Sequence, residues 1–353
     1  MKQNIRCQGL ALAFLLWGAG VRAQVTEFHP GVVSGGVTYA LPKTVFRVQA
    51  EAVRTEHVPG EFARYAERCL HLQNVSQERS VRYEMKRVRM VADGVPDTDK
   101  VFTVAYNPKT TAPLVRLSPQ GVLWSVNSDE TVEAPSLPPA DRIRTSHALD
   151  ARRYLTEEIL SAASTVKMAE LTAAEIYDLR ESRNALLRGE ADNQPKDGEA
   201  LRLRLTGLQE QEDALLQLFL GYTDTVSVVQ VYTVRPEEAD AARPLFRFSS
   251  RFGFVDADDL SGEPYRMTVT DRHTVQLPDA KELQKRKLTG LVYNLPGTAA
   301  VTLEGEGRRW LDLTVPVAQF GTDDQLARSL FEKNATTRVT FCPSTGGILH
   351  ISK

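Results

Sequence analysis

The sequence predicts an α+β fold in which predominantly antiparallel β units carry an inserted long antiparallel helical hairpin. Three observations support this prediction. Apolar and polar residues alternate over 46–52, which is typical of a half-buried strand. The apolar spacing changes to 4-3-4-3 after residue 150, as in a helix that packs on another helix, and alternation returns beyond residue 223. The predicted division is 1–23, a signal peptide; 24–140, a β-rich unit with one short helix; 141–222, the helical hairpin; and 223–353, a β-rich unit with one short helix.

The first β-rich unit begins with the alternating strand over 46–52, and a short helix is predicted near 60–71. A second alternating run starts at Val81, and its parity flips between Met85 and Val88, which indicates either a β-bulge or a bend where the strand crosses between sheets. Further strands are predicted over 101–105, 114–117 and 122–126, and a turn containing Pro119 and Gly121 joins the last two.

The helical hairpin is predicted to start with one helix over 150–188, ~55 Å long at 1.5 Å per residue. Gly189 should end that helix, and Asp197 should cap a second helix that continues to Gly221. The apolar seam of the first helix comprises Leu155, Ile159, Ala162, Val166, Ala169, Ala173 and Ile176.

The second β-rich unit is predicted to open with a strand over 226–234. Its four phenylalanines Phe246, Phe248, Phe252 and Phe254 share one parity, which predicts a single buried face. A capping-box pattern over 322–325 predicts a short helix that runs to Leu330. The other predicted strands cover 265–269, 311–315, 339–341 and 348–351.

An internal repeat is one interpretation of two similar segments. The sequence Tyr-Ala-Leu-Pro-Lys-Thr over 39–44 recurs as Tyr-Asn-Leu-Pro-Gly-Thr over 293–298, and each copy precedes a strand. The alternative is coincidence, because proline and glycine recur in turns for local reasons.

Composition places the chain among ordinary folded proteins. Of 353 residues, 42% are hydrophobic and 25% charged, which excludes collagen-like, disordered and polytopic membrane classes. The formal net charge is −2, so no basic excess is available to attract nucleic acid.

The N-terminus has the pattern of a cleaved secretory signal. Basic residues precede an apolar run over 10–20, and Ala23 stands where signal peptidase would cut. The run is too short to span a bilayer, so no transmembrane segment is expected after cleavage, although an uncleaved anchor stays open. Cys69 and Cys342 would remain after cleavage. Cys69 lies on the apolar face of the predicted short helix and should point inward, whereas Cys342 shares strand parity with Arg338 and Thr340 and should point outward. These opposite directions argue against a disulfide between them.

Several segments along the chain form a recognisable set. They are 39–44, 59–60 with 65–67, 167–170 through 176–183, 188–192, 211–212, 319–321 and 343–346. Together they resemble a family of secreted proteins of unknown function from Bacteroides-like Gram-negative bacteria. The resemblance implies export and a β-rich fold with inserted helices, and it implies no known activity. Cys69-Leu70-His71 departs from the Tyr-Leu-Gly expected there, which weakens any role for Cys69.

No motif predicts a catalytic residue, a metal site or a cofactor. The six histidines stand alone, without the paired spacing of zinc ligands. Ser164 and Lys167 match the Ser-x-x-Lys of penicillin-binding enzymes, but they flank the apolar seam and lack the accompanying Lys-Thr-Gly. The acidic run over 256–263 is interpreted as a turn, because it lacks ligands that a calcium loop needs.

The charged end of the hairpin is the candidate interaction surface. Much of this charge is also explained by pairing along the helices, so a solvated structural face is the alternative. The candidate residues are Arg180, Arg183, Arg188, Glu190, Asp192 and Asp197.

These features predict an exported protein, periplasmic or associated with the cell surface, that acts as a non-enzymatic binding or assembly module. Its expected partner is an unknown envelope protein or glycan. The alternative is a hydrolase that acts on cell-wall or carbohydrate material, with catalytic residues assembled from distant loops.

Overall fold

Two long antiparallel β-hairpins form the frame of the protein, the first over 36–105 and the second over 291–326. The computed structural model describes residues 36–105, 115–130, 132–191, 197–239, 243–279, 290–327, 330 and 337–352. The strands are β1 Gly36–Val58, β2 Ser80–Ala105, β3 Val115–Leu117, β4 Leu123–Val126, β5 Arg144–Ser146, β6 Tyr222–Val234, β7 Phe246–Ser249, β8 Gly253–Val255, β9 Glu263–Asp271, β10 Leu291–Gly305, β11 Arg308–Leu326, β12 Arg338–Phe341 and β13 Ile348–Ser352. The helices are α1 Ala66–Leu70, α2 Glu157–Leu160, α3 Thr165–Arg188 and α4 Gly198–Leu220, and short 3₁₀ turns occupy Ala63–Tyr65, Ala151–Tyr154 and Pro236–Glu238.

The strands form three antiparallel sheets. Their orders are β2-β1-β6-β5, β11-β10-β9-β7-β8 and β13-β12-β4-β3. The prediction of mainly antiparallel sheet with a few helices is therefore confirmed. Strands from the ranges 24–140 and 223–353 share sheets, because β1 pairs with β6 and β4 pairs with β12.

The main apolar core lies between the first two sheets. Phe46, Val48, Ala50 and Ala52 on β1 are all at most 1% exposed and pack on residues of the second sheet such as Val301. The opposite face of β1 is also partly covered, since Gln49 and Glu51 are buried and hydrogen-bonded to each other. The strand predicted over 46–52 is thus correct, but more of it is buried than a half-buried strand would be.

A β-bulge interrupts the β1–β2 pair where the parity of the sequence flips. Glu51 pairs with Arg87 and Ala52 pairs with Met85, which leaves Lys86 as the extra residue. The extra residue rotates the strand by one position, so Met85 and Val88 both reach the core. The predicted bulge is confirmed.

A buried polar junction fastens the third sheet to the two long hairpins. The Thr44 hydroxyl donates to the carbonyl of Ser344 at 2.9 Å and accepts from the backbone N–H of Ala318 at 3.0 Å. The Gln319 amide bonds both the N–H and the carbonyl of Thr44, at 3.0 and 2.8 Å. One threonine on β1 therefore connects β11 to the turn between β12 and β13.

Asn294 on β10 makes the matching connection from the other hairpin. Its side-chain amide donates to the carbonyls of Pro42 and Thr345 at 3.0 and 2.8 Å, and its backbone N–H donates to the carbonyl of Gly346. Asn294 is 1% exposed. Buried polar groups need partners, so these bonds specify the position of the 342–347 turn.

The two copies of the repeated segment occupy similar places at this junction. The register of β1 shifts after Ala40, beside Pro42, and the register of β10 shifts after Leu295, beside Pro296. The two proline rings lie against consecutive glycines of the turn, and a Cβ added there would approach the nearest ring atom to 2.7 Å at Gly346 and 3.0 Å at Gly347. This similarity supports the internal repeat.

The predicted helix over 322–330 is wrong over residues 322–326, which form a strand. Residues 322–326 continue β11 and pair with 291–295 on β10. Gly321 allows the close approach, because a Cβ there would lie 1.8 Å from the carbonyl oxygen of Leu295. Pairing along a long partner strand outweighs the local capping signal.

The predicted single helix over 150–188 is also wrong, because this range contains three separate helical pieces, namely the 3₁₀ turn Ala151–Tyr154, α2 and α3. The Thr156 hydroxyl accepts from the N–H of Ile159 and starts α2, and the Ser164 hydroxyl accepts from the N–H of Lys167 and starts α3. Each N-cap begins a new helix, so α3 measures ~36 Å instead of ~55 Å. The seam prediction holds at Ile159, Ala169, Ala173 and Ile176, which are buried.

Phe252 departs from the predicted phenylalanine face. It lies in the turn between β7 and β8 and is 57% exposed, with the Arg251 guanidinium over its ring. Phe246 and Phe248 are buried as expected.

Cys69 and Cys342 are both free and differ in acidity. Burial raises the pKa of the Cys69 thiol, and the nearby Arg68 offsets only part of that rise. Burial alone would also raise the pKa of Cys342, but hydrogen bonds from the side chains and backbone of Ser344 and Thr345 together hold it below its ordinary value.

Replacing Thr44 by valine should destabilise the protein by about 2–4 kcal/mol, because the Ser344 carbonyl and the Ala318 N–H would be left buried without partners. Denaturant unfolding measures the change. Thr38→Val is the matched control, since its hydroxyl contacts Thr103 at an exposed site and should cost less than about 0.5 kcal/mol. Equal losses in the two variants would contradict the role of the junction.

The two cysteines should differ in the pH at which they become reactive toward an alkylating reagent. The thiolate is the reactive form, so iodoacetamide labelling of Cys342 should reach half its maximal rate at a lower pH than labelling of Cys69. Mass spectrometry of the labelled peptides over a pH series measures both midpoints. A midpoint for Cys342 at or above that of Cys69 would show that Ser344 and Thr345 do not stabilise the thiolate.

Candidate interaction surface on the helical hairpin

The base of the hairpin is anchored to the end of the first sheet. Phe62 packs on Phe219 of α4 with ring centroids 5.5 Å apart, and its backbone N–H donates to the carbonyl of Leu218 at 2.6 Å. A Cβ on Gly60 would lie 2.3 Å from that same carbonyl oxygen, so glycine is required for the contact. The apolar cluster of the base also includes Ala66, Leu70, Ala169, Ala173, Ile176, Leu179 and Leu215.

Two of the predicted surface residues hold the helices together. The Arg180 guanidinium lies 2.6 Å from one carboxylate oxygen of Glu212 on α4, and the Arg183 guanidinium lies 2.5 Å from the other. Glu212 is 4% exposed, so its charge is compensated by these two arginines. Arg183 also donates to Gln209. The guanidiniums therefore bridge α3 and α4 midway along the hairpin.

The other predicted residues lie nearer the tip. Arg188 and Glu190 form an exposed ion pair at 2.7 Å. Gly189 ends α3 in the left-handed conformation with φ 75°, as predicted. Asp197 occupies the N-cap position of α4, as predicted, but its side chain makes no capping hydrogen bond. Asp192 lies outside the described residues.

An apolar groove lies between the far halves of α3 and α4, next to these charges. It has a volume of about 590 Å³. Leu186 and Leu208 line it together with Ala185, Ala191 and Gly207. No atom lies within 4 Å of the position that a Cβ on Gly207 would take, so this glycine leaves the groove open.

The groove was not predicted from the sequence, because it depends on how the faces of α3 and α4 lie beside each other. Leu187 and Leu203 are 63% and 71% exposed, outside the regular apolar spacing of their helices. These two leucines do not line the groove, but with Gly207 inside the second helix they are the signal that could have indicated apolar surface left uncovered on the hairpin. Over 180–191 and 197–211, Leu186 is the one buried residue among those that the structure describes.

The motifs considered for catalysis and metal binding have structural roles. Ser164 of the Ser-x-x-Lys pair is the N-cap of α3, and its hydroxyl accepts from the backbone of Lys167. In the acidic run over 256–263, Asp259 accepts from the N–H of Ser261 at 2.8 Å, which is a turn contact. The described part of the chain contains no group of three or more His, Cys, Asp or Glu side chains arranged to hold a metal ion.

Comparisons with known proteins identify the family. No curated protein and no solved structure matches the chain. No helix among the described residues has both the length and the apolar character needed to cross a membrane. A family model described as a domain of unknown function (DUF4831) matches residues 35–349, which include all three sheets almost completely and the whole hairpin. The chain therefore belongs to the DUF4831 family, whose function is unknown.

Proposed function

We propose that this chain is an exported protein of the cell envelope, periplasmic or at the cell surface, and that it binds another envelope protein through the far end of its helical hairpin. The signal-like N-terminus supports the export part of the proposal. The uncovered groove between α3 and α4 supports the binding part and is the observation on which it rests.

The construction of the hairpin suits docking. Its base is held by an apolar cluster, and Arg180 and Arg183 fasten α3 to α4 through Glu212. The far halves are therefore kept at a fixed spacing although they bury little apolar surface of their own. A preformed groove loses less conformational entropy on binding than one that must be assembled.

A protein fits this groove better than a glycan does. Four of its eight lining residues are leucine or alanine, and these gain from contact with apolar side chains, which glycans mostly lack. The polar lining residues are Ser182, Arg204 and Gln211. The tip end of the hairpin also carries both charges, with Arg188 paired to Glu190 and Arg202 paired to Glu199. Apolar contacts flanked by polar groups are the usual organisation of a protein–protein interface.

A hydrolase is the second candidate, and a polar cleft of about 410 Å³ beside β12 and β13 favours it. His350, Ser352 and Ser128 line this cleft with the carboxylates of Asp129 and Glu130. Against a catalytic role, Asp129 is paired with Arg116 at 2.9 Å and the Ser128 hydroxyl accepts from the N–H of Glu130. Hydrolysis of cell-wall or polysaccharide substrates that His350→Ala abolishes would establish this candidate instead.

Filling the groove should abolish docking without loss of stability. Gly207→Trp places a large side chain where no atom lies within 4 Å and replaces a helix-interior glycine, so the free energy of unfolding should stay equal or rise by up to about 1 kcal/mol. In affinity capture from envelope extract, the protein retained by the original chain should be absent with Gly207→Trp.

Gly198→Trp is the matched control, because it adds the same side chain at an equally open position at the start of α4, outside the groove. This variant should capture the same protein as the original chain. Equal capture by Gly207→Trp and Gly198→Trp would overturn the proposal that the groove is the docking site.

A further inference from the structure

A second open cleft lies at the end of the β10–β11 hairpin, beside β9. It has a volume of about 650 Å³, within the range of ligand-binding clefts. Gly305, Gly307 and Pro264 contribute backbone and a flat apolar edge. Its charged lining consists of Glu263, Arg266, Glu304, Glu306, Arg308 and Arg309.

The turn that forms one wall of this cleft carries an unusual residue. Glu306 and Gly307 link β10 to β11, and both have positive φ values, 51° and 69°. Such a two-residue turn normally has Asn, Asp or Gly at both positions, because other side chains are strained in the left-handed region. Glu306 adopts that conformation and presents its carboxylate to the cleft. Strained backbone positions of this kind cluster at functional sites in proteins.

A column of aromatic rings holds Arg308 at the cleft. The Phe246 ring stacks on Tyr265 with centroids 4.6 Å apart, and Tyr265 packs on Trp310 at 5.8 Å. The Arg308 guanidinium lies 3.5 Å from the centre of the Trp310 ring and completes the column. Trp310 is the extra residue of a bulge in β11, since Leu303 pairs with Leu311 while Glu304 pairs with Arg309.

The charges in the cleft divide into a paired set and an unpaired set. Arg309 is held by Glu304 at 3.1 Å and by Asp312 at 2.8 Å. Arg266 and Arg308 form no ion pair with any residue that the structure describes, and the same is true of Glu263 and Glu306. Two guanidiniums and two carboxylates therefore face the cleft with hydrogen-bonding capacity to spare.

A buried hydroxyl lies beside one of these carboxylates. Tyr265 is fully buried, its ring lies against Gly305, and its hydroxyl lies next to the Glu306 carboxylate. Burial raises the pKa of this phenol, and the charge of Glu306 and a hydrogen bond with its side chain raise it further. The phenol thus stays protonated and can donate to the Glu306 carboxylate.

We propose that this cleft binds a neutral oligosaccharide. Sugar hydroxyls both donate and accept, so they can satisfy carboxylates and guanidiniums together, whereas an anionic or cationic ligand would face two like charges. Arg308 is held in place before binding, which favours affinity. The site is separate from the groove on the hairpin, so it neither depends on the proposed docking nor explains it.

The test is binding of the purified full chain to an array of neutral oligosaccharides of three to five glucose, mannose, galactose or N-acetylglucosamine units, with uronic-acid and sulfated oligosaccharides on the same array. Calorimetry with the best neutral binder then compares variants. Arg308→Ala and Glu306→Gly should each weaken binding at least tenfold. Because Glu306→Gly relieves the strained turn, it should unfold at an equal or higher temperature, which separates lost binding from lost folding.

Arg153→Ala is the control, since Arg153 also lies over an aromatic ring, that of Tyr154, near the base of the hairpin. It should bind as tightly as the original chain. Retention of no neutral oligosaccharide, retention of acidic ones alone, or equal affinity in Arg308→Ala, Glu306→Gly and Arg153→Ala would each overturn the proposal.

Discussion

The rest of the structure depends on one buried set of hydrogen bonds, in which Thr44 and Asn294 secure the 342–347 turn against both long hairpins. Without those bonds several backbone groups would be buried and unpaired. Other registers of β1 and β10 are therefore disfavoured both by lost packing and by the cost of these unpaired groups. A shift of one residue would also turn the apolar face of β1 away from the core. The junction thereby specifies register in three sheets at once.

The two proposed binding sites use this rigidity in different ways. The groove on the hairpin is a place where apolar surface stays uncovered because the base and the Glu212 ion pairs already secure the helices. The cleft at the β10–β11 turn is a place where polar groups stay unsatisfied because an aromatic column and a bulge fix their positions. In both cases a stable frame carries a local feature that would be unfavourable alone.

Sequence reasoning predicted what local patterns determine. The strand over 46–52, the bulge after Met85 and the helix end at Gly189 each depend on residues a few positions apart. It failed over 322–325, where a partner strand about 30 residues away outweighs a capping signal. Of the candidate site, the charged positions were predicted, but the pairing of Arg180 and Arg183 with Glu212 and the groove beside them depend on how two helices face each other. The β10–β11 cleft was not predicted at all, since its residues come from separate strands and the backbone conformation of Glu306 has no sequence signature.

The separation along the chain of the groups in the junction has a consequence for folding. Thr44 bonds a carbonyl 300 residues later, and Asn294 bonds the same turn. During synthesis from the N-terminus, the junction cannot close until almost the whole chain exists, so the β1–β2 hairpin must wait without the turn that Thr44 bonds. High contact order of this kind slows folding and prolongs the unfolded state. A chain that folds late in this way remains available, while it is being made, to any machinery that handles extended polypeptides.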